Sequence, residues 1–89
     1  MPKIKGWDKI NKYEWINYRY YSKSPDEVKI AIEPIYSRID KKEYYLVVRY
    51  KKHWNETYNY AKRKELKRFS TLKEAVMYAY KWVKRHPKG

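Results

Sequence analysis

The clearest alternation in the chain runs from Tyr44 to Lys52. Tyr44, Leu46, Val48 and Tyr50 share one parity and Tyr45, Val47, Arg49 and Lys51 the other. A period of two over this length predicts a β-strand with two distinct faces. Tyr13 to Tyr21 reads as another strand, rich in aromatics and without a helical stripe, and Val28 to Ile35 as a further one, with Val28, Ile30 and Ile32 on one face. Pro34 removes a ladder donor, so that strand is expected to end near it or to lie at an edge. Ser22 to Asp26 and Ile39 to Glu43 carry turn chemistry. Tyr58 to Phe69 is the last expected strand, bent near Lys62 to Lys64 where aromatics give way to charge. The period then changes. Leu72, Ala75, Val76, Ala79 and Val83 recur at helical spacing, flanked by Tyr80 and Trp82. Thr71 with Glu74 three residues on has the form of a capping box, Lys84 and Arg85 suit the negative end of the helix dipole, and Pro87 stops the helix. A helix with one apolar stripe needs a sheet to cover. The expected fold is α+β: an antiparallel sheet of three to five strands with one C-terminal helix packed on one face.

At 89 residues the chain is read as one domain, 1–89, with 1–6 a loose basic start and with Trp7 and Ile10 docking on the core. Its core material is aromatic: 12 Tyr, 4 Trp and 1 Phe outnumber the aliphatic Ile, Leu and Val. So small a domain cannot enclose all of these rings, so some are expected outside. There is no Cys, which excludes disulfides, thiolate metal sites and Cys nucleophiles. Abundant charge with few thermolabile residues fits a heat-loving source. The first six residues lack an apolar stretch and no apolar run approaches a membrane span, so the expectation is an intracellular, cytoplasmic protein without membrane partners.

Charge changes the picture most. The net charge is +13, and 15 Lys and Arg against 4 Glu fall in residues 41–89. Such a field draws in polyanions. Motifs for catalysis are missing: there is no Gly-rich phosphate loop and no metal-spaced His set. His86 at the helix end reads as a cap, and His53 sits in a basic loop. The expectation is a chain with no catalytic residues, no metal and no cofactor.

The candidate contact surface is Arg49 to Arg68. Arg49, Lys51, Lys52, His53, Lys62, Arg63, Lys64, Lys67 and Arg68 supply cations for phosphates, and Trp54, Tyr58 and Tyr60 supply rings for stacking on bases. Alternation should carry some of these cations to the sheet face away from the helix. The step Phe69-Ser70-Thr71-Leu72-Lys73-Glu74-Ala75 resembles the entry into the helix of integrase arm-type and AP2-type DNA-binding domains, in which a small sheet enters the major groove. That resemblance covers residues 44–86, with a longer hairpin and without the usual turn Gly. Gly6-Trp7-Asp8-Lys9-Ile10 and the closing Trp82 to Gly89 are similar to a group of small basic archaeal and archaeal-virus proteins, which implies a source and no activity. The leading expectation is a non-catalytic nucleic-acid-binding module, DNA ahead of RNA. The alternative is a protein-interaction module, such as a viral or mobile-element inhibitor, for an acidic protein partner. A homodimer through an exposed sheet edge is compatible with both.

Overall fold

The computed structural model describes residues 4, 6–18, 26–53, 57 and 61–87, with Tyr18 and Asp26 described by their backbone alone. Five strands, β1 (Asp8–Asn11), β2 (Glu14–Tyr18), β3 (Asp26–Ser37), β4 (Lys42–His53) and β5 (Lys62–Phe69), precede one helix, α1 (Leu72–Arg85). The strands form an antiparallel meander in the order β1-β2-β3-β4-β5. The expected α+β arrangement is therefore present, with the sheet at five strands.

One face of the sheet packs against α1. Trp15, Val28, Ile30, Ile32 and Val47 meet Ala75, Ala79 and Val83 in a buried cluster that also takes in Trp7. These positions are the odd residues of β2 and β4 and the even residues of β3, which the register puts on one face. Thr71 caps the helix: its hydroxyl accepts from the Glu74 amide at 3.3 Å and lies 3.0 Å from the Glu74 carboxylate. At the other end Trp7 Nε1 donates to His86 O at 2.8 Å and Asn17 Nδ2 donates to Pro87 O at 2.9 Å. His86 is the C-cap, with its ring stacked on Trp82 and Nδ1 2.7 Å from Trp82 O. Gly6, at φ 85°, lies so close to this end that a Cβ would come within 2.2 Å of Pro87 O. Ile4 also packs against the core, so the basic start is tied down at both of its described residues.

Three expectations change. Residues 8–11 are a strand, because Asn11 turns the chain back: its Oδ1 accepts from the Tyr13 amide at 2.8 Å and its Nδ2 donates to Glu14 at 2.7 Å. Ile10 falls where the β1–β2 register shifts and stands 51% exposed rather than docked. The irregularity of the last strand lies at Leu66, not at Lys62 to Lys64: Val47 pairs with Lys67 and Val48 with Glu65, so Leu66 is an extra residue.

β3 and β4 outrun their neighbours. β2 reaches β3 only from Ala31, and β5 reaches β4 only from Tyr45. Residues 35–37 and 42–44 are therefore paired only with each other, as a two-stranded ribbon. The Ile32 amide donates to Tyr13 O at 2.9 Å. Two residues on, Pro34 faces the same side and has no N–H to offer. The strand continues through Pro34 because its missing donor lies on the unpaired edge, where it also discourages strand addition.

Candidate nucleic-acid interface

The bulge at Leu66 decides which cations share a face. Without it, Lys67 would fall with Arg63 and Glu65. With it, Lys62, Lys64 and Lys67 all lie on the helix side, and Arg63 and Arg68 on the open side.

The open side is charge-balanced. Among its described side chains, Asp8, Glu14, Glu27, Glu33 and Glu65 stand against Lys29, Lys42, Lys52, Arg63 and Arg68. Most are paired. Lys29 lies 3.1 Å from Glu14, and Lys52 lies 3.1 Å from Glu27 with only 7% of its side chain exposed. Arg63 bridges Glu33 at 2.9 Å and Glu65 at 3.2 Å, and Tyr50 donates to Glu33. Burial by itself would raise the Glu33 carboxyl, but hydrogen bonds from Tyr50 and Arg63 hold it below the usual carboxylate range. Glu14 is lowered chiefly by the hydrogen bond from Asn11, against burial and with help from Lys29. The Arg63 guanidinium is held above its usual value by its hydrogen bonds to Glu33, Tyr50 and Glu65. Arg68 lies over the Tyr44 ring, 4.7 Å from its centroid. Alternation does carry cations to this face, and there carboxylates or rings engage Lys29, Lys52, Arg63 and Arg68.

The helix side is different. Its described strand residues carry Lys9, Arg49, Lys51, Lys62, Lys64 and Lys67 against Glu43. Arg49 is directly opposite Lys64, and Lys51 directly opposite Lys62. Like charges in directly opposed positions repel, and here two such pairs adjoin. Among the described residues, no carboxylate lies within 4.0 Å of Arg49, Lys62 or Lys64. Lys62 and Lys64 are exposed, and Arg49 and Lys51 half-buried. α1 ends over β2, where Asn17 holds Pro87, so this corner of β4 and β5 lies beside the helix. Lys67 continues the strip, 5.4 Å from the Phe69 ring and 5.8 Å from that of Tyr78. The helix adds Lys73, Lys81, Lys84 and Arg85, all exposed, against Glu74.

Sequence reasoning grouped twelve residues on one hairpin surface. The structure brings Arg49, Lys51, Lys62, Lys64 and Lys67 to one side and puts Lys52, Arg63 and Arg68 on the other. His53 ends β4 on the helix side, half-buried. Trp54, Tyr58 and Tyr60 lie outside the described residues. The helix cations, absent from that grouping, could have been added from the polar stripe of α1. Among the described residues no group of His, Cys, Asp or Glu is gathered as metal ligands would be, and no helix is long and apolar enough to cross a membrane. Comparison with protein-family models, with curated proteins and with solved structures returns no match to this chain.

Proposed function

We propose that this chain is a non-catalytic nucleic-acid-binding module whose contact surface is the basic strip of β4 and β5 beside α1. The observation that carries the reading is the opposed cation pair Arg49 with Lys64, neither of which has a carboxylate within 4.0 Å among the described residues, beside the exposed Lys62. A free protein gains nothing from setting like charges face to face, whereas a phosphate backbone laid across Arg49 and Lys64 neutralises the pair and releases its counterions. Lys67 and the outer cations of α1 extend the field on the same side. DNA is favoured over RNA on the Phe69 to Ala75 step that resembles sheet-plus-helix DNA-binding domains. The face such domains lay in the groove is here the charge-balanced one, so the strip takes over as the contact.

Two double variants test this. Lys62→Glu with Lys64→Glu should abolish duplex binding and leave the fold intact. Arg63→Glu with Arg68→Glu makes the same change of net charge on the open face, so it should lower thermal stability and leave most of the affinity. Equal losses of affinity would show a response to net charge alone and remove the strip as the site. An acidic protein partner would meet the same strip, and strong binding of such a partner with no affinity for nucleic acid would replace this reading.

A further inference from the structure

The β3–β4 ribbon carries features that the core does not require. Ile39 at its tip is 94% exposed and Tyr36 on its flank 64%. Arg38, Lys41 and Lys42 surround Ile39 and are exposed. Two carboxylates lie nearby. Asp40 accepts a hydrogen bond from the Tyr44 hydroxyl at 2.9 Å, and Glu43 is the second residue of β4, on the helix side. Lys41 adopts φ 53°, in the left-handed region. Gly or Asn is the ordinary occupant of such a turn position, and a Lys there is strained. The tip therefore keeps a cation where the backbone would favour Gly, and an apolar side chain where water surrounds it.

We infer that this ribbon is a second contact arm, which enters a groove of the duplex held by the basic strip and sets Ile39 against the base edges as an apolar wedge. The inference rests on the nucleic-acid reading above. The groove is the minor one: apolar wedges set beside cationic side chains are the means by which proteins unstack base steps from the minor groove and kink the duplex. Span supports a shared ligand. From Lys42 to Lys51 along β4 is about 30 Å at roughly 3.3 Å per residue, close to the ~34 Å of one duplex turn. The molecule is 45 Å along its long axis. Strip and ribbon can thus meet successive turns on one side of the duplex. Lys41 and Arg38 would take the phosphates that border the groove.

The test uses the whole chain and a labelled duplex of about three turns, with three readouts: affinity across salt, duplex bending by end-to-end energy transfer, and thermal melting of the free protein. Lys41→Gly should raise the melting temperature and yet weaken binding, lowering the salt slope by about 0.9, the share of one phosphate. Ile39→Ala should leave melting unchanged and remove a bend of at least about 20°, the lower end for wedge proteins. Unchanged affinity and bend in both variants, with binding still lost in Lys62→Glu/Lys64→Glu, would overturn the arm and keep the strip. Failure of the unsubstituted protein to bind any duplex would overturn both. If Ile39→Ala reduces capture of a protein partner while DNA binding stays intact, the tip is a protein contact and the inference fails.

Discussion

Lys64→Glu should make the free protein more stable and a poorer ligand for DNA. Lys64 faces Arg49 directly across β4 and β5 and has no carboxylate within 4.0 Å among the described residues. Two unit charges ~7 Å apart in water-like surroundings interact by about 0.6 kcal/mol. Turning their repulsion into attraction therefore changes this pair by roughly 1 kcal/mol, within the range of opposed strand pairs. In a domain of this size that is about 4–8 °C in melting temperature. The gain should shrink as salt rises, because exposed charges are screened over about 8–10 Å near physiological ionic strength. In the complex the same change removes one phosphate contact and adds a repulsive one, so the salt slope should fall by at least about 0.9. Calorimetry of the free protein and titration of a duplex at several salt concentrations read the two effects separately. Lysines on β5 could instead serve only to keep an edge strand from pairing with other chains. A glutamate would do that equally well, so a more stable variant with unchanged affinity would refute the phosphate reading. A variant that is less stable would refute the electrostatic one.

Other outcomes follow from the open face and the helix ends. Lys52→Ala removes the ion pair with half-buried Glu27 and should lower stability in chemical denaturation by about 1–3 kcal/mol, the range for a lost charge-assisted hydrogen bond, with no change in the salt slope of binding. Glu14 and Glu33 have folded pKa values below the ordinary one, so their contribution is present above the unfolded value and lost as pH falls through the folded one. The melting temperature should therefore drop in acid, and Glu33→Gln should flatten part of that drop. Thr71→Ala removes the helix cap and should cost about 1 kcal/mol of stability. Trp54→Ala should weaken single-strand binding by about 1–3 kcal/mol if the ring stacks on bases, read by titration of single strands beside a duplex.

The sequence carried the elements more fully than their register. α1 was legible end to end, because its cap, its stripe of Ala75, Ala79 and Val83, and its stop at Pro87 are all local signals. β4 was legible to the face, because Tyr45 and Val47 alternate cleanly with Leu46 and Val48. β1 was not: four residues paired to β2 through an Asx-type turn leave only Asn11 as a signal, and Ile10 at the register shift breaks the alternation. β5 misled for a related reason. Strict alternation puts Lys67 with Arg63 and Leu66 with Lys64, and the extra residue at Leu66 reverses that grouping. The site was therefore visible as a density of cations but not as a surface. Of the carboxylates that engage Lys52 and Arg63, Glu65 is local to β5, but Glu27 and Glu33 come from β3, 25 and 30 residues away, and no local pattern foretells those two.

Affinity of the unsubstituted protein for a random duplex, titrated from low to physiological salt, tests the central claim most directly. Five phosphate contacts along the strip, from Arg49, Lys51, Lys62, Lys64 and Lys67, predict a linear fall of log K with log salt at a slope of about −4.5, or −0.9 per phosphate. A slope near zero, or no binding at low salt, would contradict it.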